Sequence, residues 1–203
     1  MAIQFNNITF LRSAHTLEQC PQDTGREVAI AGQSNAGKSS VINVLANKRN
    51  LARTGKSPGR TQLLNFFLVA AGYRLVDLPG YGFARVPVDV KHHWSTVVQS
   101  YLDSRQSLAG LILVMDVRHP LKPYDEQMIS WCRSTGLPVH IVLNKADKLS
   151  HGTGRKALDE VRRRCCGTDD RVTAQLLSTL KHTGIDSVKD KLRYWFNRTN
   201  QHT

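Results

Sequence analysis

The sequence predicts an α/β domain of three layers: a mostly parallel sheet covered by helices on both faces, with one antiparallel edge strand. Three observations predict it. Short apolar runs recur at 28–31, 111–115, 139–143 and 172–177. Segments whose apolar residues return at helical spacing lie between or after them. Two further runs, 64–69 and 73–76, are separated only by a short turn at Ala71-Gly72. Strands alternating with helices make parallel sheets buried on both faces, and a tight turn makes an antiparallel pair.

In chain order, VAIA at 28–31 ends at Gly32, and a helix is predicted over 38–48 with Val41, Ile42 and Leu45 on one face. The hairpin follows and supplies the antiparallel edge strand. A helix is predicted over 90–105, a buried strand over 111–115 and a helix over 124–133. Another strand at 139–143 precedes a helix at 156–164. The last strand, 172–177, leads to a helix at 184–196 with Ile185, Val188, Leu192 and Trp195 at helical spacing. Residues 1–25 form an N-terminal extension with a strand at 8–11, residues 26–199 the domain proper, and 200–203 a tail. In such a sheet, ligands sit beyond the carboxyl ends of the strands.

With 203 residues and 40% hydrophobic side chains, the chain can bury one core of ordinary size. No apolar run reaches the roughly 18 to 20 residues that a bilayer span needs. The first 25 residues show no apolar signal-peptide core. A cytoplasmic protein without stable membrane insertion is therefore expected, and a monomer. The four cysteines, Cys20, Cys132, Cys165 and Cys166, form no C-x-x-C pair and read as reduced thiols. The net charge of +12 points to a polyanionic partner, RNA or DNA, ahead of an acidic membrane surface or a merely solubilising charge.

Gly32, Gln33, Ser34, Asn35, Ala36, Gly37, Lys38 and Ser39 read GQSNAGKS, the G-x-x-x-x-G-K-[ST] pattern, set between a strand and a helix. Small residues there let backbone N–H groups wrap a β-phosphate, and the helix N-terminus, continuing through Ser40, adds its positive end. Lys38 is expected to bridge β- and γ-phosphates, and the Ser39 hydroxyl to ligate Mg²⁺. Asp77 to Gly80 reads DLPG at the end of a buried strand. Asp77 can hold the same Mg²⁺ through water, and Gly80 lets its N–H approach a γ-phosphate. A P-loop NTPase with the Ras-like G-domain arrangement follows.

Asn144 to Asp147 reads NKAD and decides the base. The Asp147 carboxylate can accept from guanine N1–H and its exocyclic amine, and adenine offers neither donor. Asn144 bonds the base edge or braces the phosphate loop, and the Lys145 stem packs on the purine. Ser178 and Thr179 follow the last strand, where a backbone N–H, that of Thr179, would face guanine O6. The polar loop GKSPGRTQ over 55–62 should lie over the phosphates, with Gly59, Arg60 and Thr61 at the nucleotide. Thr61 is the choice for the second Mg²⁺ hydroxyl ligand, with Ser57 and Thr54 behind it. GTP as substrate and GDP as product are thus expected, with Mg²⁺ as cofactor. An ATP-using P-loop kinase or ATPase is disfavoured by NKAD.

The segments GQSNAGKSSVIN, SPGRTQLLNFF, DLPGYGFA, DVRHPLKPYD and LNKADK together resemble the bacterial EngB (YihA, YsxC) GTPases of the TrmE-Era-EngA-YihA-Septin-like class. The resemblance spans about residues 14–196, and DLPGYG and Arg118 to Pro123 are its most specific pieces. It implies a small Mg²⁺-dependent GTPase that acts in assembly of the large ribosomal subunit, with rRNA as partner, and is needed for normal cell division and septation. The alternative is a nucleotide-gated, non-catalytic interaction module at the division site. Tyr81 stands where Ras-like GTPases carry the glutamine that orients the attacking water, so intrinsic turnover should be slow, and no residue is assigned as catalyst. Asn35 occupies the position that some related GTPases use for K⁺; shaping the loop is the reading preferred here. His92 and His93 read as solvated, and of Arg162, Arg163 and Arg164 part is solvated and part could touch RNA.

Overall fold

Seven strands and five α-helices build the protein in a computed structural model that describes residues 3–52, 63–81, 88–167 and 170–198. The strands are β1 (Thr9–Ala14), β2 (Arg26–Gly32), β3 (Leu64–Ala70), β4 (Tyr73–Asp77), β5 (Leu108–Asp116), β6 (Val139–Asn144) and β7 (Val172–Leu176). They form one sheet in the order β1-β3-β4-β2-β5-β6-β7. The pairings of β2 with β4 and β5, of β5 with β6, and of β6 with β7 are parallel. The central strands are apolar and buried on both faces: all of Val139–Asn144 is buried, and so is β2 after Arg26. That burial is what an all-parallel centre requires.

Strand β3 runs against the other six, pairing antiparallel with β4 and with β1. It is the predicted reversed strand, but it lies one place in from the edge, because β1 covers it. The reason is in its side chains. Phe66 and Phe67 point to opposite faces and each is buried in a different core. A strand that is apolar on both sides needs a neighbour on both sides. Strand β1 can stand at the edge because Thr9 to Arg12 are exposed there.

The helices are α1 (Lys38–Leu45), α2 (Val88–Ser104), α3 (Pro123–Thr135), α4 (His151–Cys165) and α5 (Ile185–Asn197). Val98 and Tyr101 of α2, Ile129 and Cys132 of α3, and Leu158 and Val161 of α4 fill the core on one face of the sheet. Val41 and Ile42 of α1 and Val188, Leu192 and Trp195 of α5 fill the other, together with Phe5 and Ile8 from the N-terminal segment. Helix α4 begins five residues before its predicted start, because the Ser150 hydroxyl caps it by accepting from the Thr153 N–H at 3.2 Å. Among the described residues, no helix is long and apolar enough to cross a membrane.

At the amino ends of the strands, Glu27 is fully buried and accepts from Arg74 Nε at 2.8 Å, Tyr101 Oη at 2.9 Å and Arg105 Nε at 3.0 Å. Two guanidiniums thus compensate a charge that would be very costly alone. The network ties the last turn of α2 to β2 and β4. At the opposite, carboxyl ends, Gly32, Asp77, Asp116 and Asn144 come together on neighbouring strands.

Candidate nucleotide site

The loop from Gln33 to Gly37 turns from β2 into α1, and two residues hold left-handed backbone conformations, Asn35 (φ 64°) and Gly37 (φ 101°). At Gly37 only glycine fits, since a Cβ would sit 2.3 Å from the Asn144 amide nitrogen. Asn144 Nδ2 donates to the Ala36 carbonyl at 3.0 Å, and Asn144 is 1% exposed. That bond is the brace on the phosphate loop, one of the two sequence readings for Asn144. Lys38, Ser39 and Ser40 form the first turn of α1, so its unpaired N–H groups and positive dipole end face the loop.

Lys145, left-handed at φ 65°, spans the loop: its ammonium donates to the Asn35 carbonyl at 2.6 Å and to Asp116 at 2.9 Å. Asp116 also takes a two-pronged bond from Arg118, and these cations hold its carboxyl well below the usual range. The Asp147 carboxylate accepts from the Ser178 hydroxyl at 2.5 Å, which holds its pKa down and the group ionised. The Thr179 N–H makes only a long bond, 3.4 Å, to Asn144 Oδ1. Ser40 and Thr179 also share the wall of a cavity of about 560 Å³ with Asn43, Asn47 and His182.

Asp77 is 5% exposed, and among the described residues its buried Oδ1 has no hydrogen-bond partner. Burial pushes its pKa up to about 6, and the Lys38 ammonium pulls it back. Burial conversely lowers the pKa of Lys38 and Asp77 raises it. An unpartnered buried carboxylate oxygen at a strand end, with Ser39 in the first turn of α1, suits a hydrated divalent cation. Gly80 faces this point, for a Cβ there would lie 3.0 Å from Lys38 Nζ. Gly59, Arg60 and Thr61, with Thr54 and Ser57, lie outside the described residues.

Tyr81 is held away from this point. Its hydroxyl donates to Asp125 Oδ1 at 2.5 Å, its carbonyl accepts from the Ser34 N–H at 2.8 Å, and it is 5% exposed. Asp125 in turn accepts from the Lys122 N–H at 3.0 Å and so caps α3. The Lys122 ammonium reaches the phosphate loop at Gln33 Oε1, 2.6 Å away. Sequence reasoning assigned no role to Lys122, Asp125 or Asp116, nor to the Ser178 side chain. The signal for the first two was the distinctive segment DVRHPLKPYD, in which an aspartate stands three residues after Lys122 at a helix start.

A family model described as a 50S ribosome-binding GTPase matches residues 27–145. The chain is 48% identical over 195 residues, 96% of its length and 93% of the relative's, to "Probable GTP-binding protein EngB" of Escherichia coli O157:H7 (strain EC4115 / EHEC). In fold it resembles the crystal structure of a probable GTP-binding protein engB, with a TM-score of 0.69 at 22% identity over 84% of this chain and 98% of that one. It also resembles NFeoB from S. thermophilus, solved bound to GDP·AlF4⁻ and K⁺: the TM-score is 0.60 at 28% identity, covering 88% of this chain and 65% of that one. Sheet, phosphate loop and NKAD turn thus define a P-loop GTPase, a protein that binds guanine nucleotide and hydrolyses GTP. Within that class the chain belongs to the EngB family.

Proposed function

We propose that the protein is a GTP-driven switch in large ribosomal subunit assembly, working as a cytoplasmic monomer, with its contribution to cell division and septation downstream of that role. The observation that carries the ribosomal reading is the match to the 50S ribosome-binding family model, and the +12 charge supports it. In this reading the backbone N–H groups of Asn35, Gly37 and Lys38 wrap the β-phosphate and Lys38 bridges the β- and γ-phosphates. Ser39, Thr61 and Asp77 would hold Mg²⁺, which would offset charge on the phosphates. Asp147, steadied by Ser178, reads guanine, while Asn144 and Lys145 keep the loop and the base turn in register. The Thr179 N–H would face guanine O6, and Gly59 and Arg60 are assigned to the nucleotide from the sequence.

Asn35 shapes the loop, its carbonyl held by Lys145. The K⁺ in the similar NFeoB structure supports a second reading, with the ion beside Asn35. Replacing Na⁺ by K⁺ should then speed hydrolysis, and Asn35→Ala should abolish the difference.

The GTP form should hold the segments around Thr61 and Gly80 in place, and the loss of γ-phosphate should release them. Large ribosomal subunits should therefore bind better with a non-hydrolysable GTP analogue than with GDP, by about 5- to 150-fold. Affinity should fall steeply with salt, as expected when phosphates release counterions on binding. Sedimentation across a salt series tests both: equal binding with the two nucleotides overturns the switch, and salt-independent binding overturns the RNA contact.

A further inference from the structure

The phosphate loop holds a polar group that its own fold does not satisfy. Among the described residues, the Ser34 Oγ is buried and has no hydrogen-bond partner. A buried donor left in that state is unfavourable, so it calls for a partner that arrives later. Its neighbours say what kind. A Cβ placed on Gly80 would lie 3.0 Å from Ser34 Oγ and equally 3.0 Å from Lys38 Nζ, so hydroxyl and ammonium converge on one point. A neutral donor and a cation aimed together suit an anionic oxygen.

The hydroxyl is also held in place. The Ser34 N–H is committed to the Tyr81 carbonyl at 2.8 Å, and Tyr81 is fixed by Asp125. Ser34 therefore cannot offer its backbone N–H to a phosphate, and the side chain is what it has to offer. In the nucleotide reading above, the free N–H groups deeper in the loop take the β-phosphate, and the point opposite Gly80 is left for the terminal phosphate.

We propose that the Ser34 hydroxyl donates a hydrogen bond to a terminal-phosphate oxygen of bound GTP, making Ser34 a specificity-determining residue for triphosphate over diphosphate. This rests on the nucleotide reading above. GDP has no oxygen at that point, so the bond exists in one nucleotide state alone. Through Tyr81 it also joins the terminal phosphate to the start of α3.

The test is titration of the parent and of Ser34→Ala with GDP and with the β,γ-imido analogue of GTP, in Mg²⁺. Affinity of the variant for the analogue should fall about tenfold, which is about 1.4 kcal/mol, with GDP affinity changed less than about twofold. Equal losses for both nucleotides would make Ser34 a structural loop residue and overturn the proposal, and so would no loss for either. The melting temperature without nucleotide should not fall in Ser34→Ala, since an unpartnered hydroxyl is removed; a clear fall also overturns it. A parent that binds neither nucleotide overturns the guanine-nucleotide reading itself, a result distinct from every outcome in the variant.

Discussion

Changing Tyr81→Phe isolates one hydrogen bond and asks whether the residue after DLPG takes part in hydrolysis. The ring stays in its core, and only the hydroxyl that donates to Asp125 is lost. Asp125 is 2% exposed, and its other oxygen remains on the Lys122 N–H. One oxygen of a buried carboxylate is then left without a donor. Hydrogen bonds to charged groups are worth about 1.5–3 kcal/mol, so stability should drop by about that amount. For a domain of this size the melting temperature should fall by roughly 3 to 12 °C. Burial already raises the pKa of Asp125 and the Tyr81 bond lowers it, so the variant's carboxyl should titrate higher still. A carboxyl whose folded pKa lies above its unfolded value contributes stability at low pH that is lost as pH rises through the folded pKa. The deficit should thus be largest near neutrality and shrink under acid conditions. Single-turnover hydrolysis should stay within a few-fold of the parent, because the phenol faces α3 and not the terminal phosphate. Thermal unfolding at several pH values and a hydrolysis time course measure the two sides. A hydrolysis loss of about a hundredfold with an unchanged melting temperature would refute the reasoning and place Tyr81 at the chemistry.

Further outcomes follow from the site and the core. Asp147→Asn should weaken GTP about 10- to 150-fold, the loss expected for a hydrogen bond to a charged group, and shift preference towards xanthine nucleotides, whose 2-oxo group accepts from the new amide. Competition between GTP and XTP decides it, and unchanged GTP affinity would show that Asp147 does not read the base. Lys38→Ala should weaken triphosphate binding more than Asp147→Asn does, since it removes a buried cation from the phosphates; a Mg²⁺-GTP titration within twofold of the parent contradicts this. His140 is buried, its Nε2–H donating to Gln175 Oε1 at 2.8 Å and its Nδ1 accepting from Thr173 at 2.7 Å. Burial lowers its pKa to about 4, so the unfolded chain takes the proton first and stability should fall as pH drops from about 6.5 through about 4. An NMR titration in which this ring protonates near 6.5 would contradict the buried, neutral assignment.

Much of the architecture was legible because burial leaves a one-dimensional trace. Strands covered on both faces must be continuously apolar, so VAIA, LILVM and VHIVL announced β2, β5 and β6. Helix α4 was read too short because glycines at 152 and 154 mask its first turn, which the Ser150 cap and the packing of Gly154 against Leu176 sustain. The place of β1 outside β3 was not legible either. Edge order depends on which strand needs both faces covered, and Phe66 and Phe67 show that need only once the sheet is assembled.

The sequence by itself determined the phosphate loop, the carboxylate at the end of β4, the NKAD turn and the order of strands and helices. Each is a local pattern: a glycine where a side chain would collide, a lysine and a serine at a helix start, an aspartate at a strand end. Tertiary structure alone placed the Asn144 amide on the Ala36 carbonyl, the Ser178 hydroxyl on Asp147 and the Tyr81 hydroxyl on Asp125. Those partners stand 108, 31 and 44 residues apart in the chain. A hydrogen bond is directional and reaches only about 3 Å, so spacing along the chain carries no record of it until the sheet brings the strand ends together.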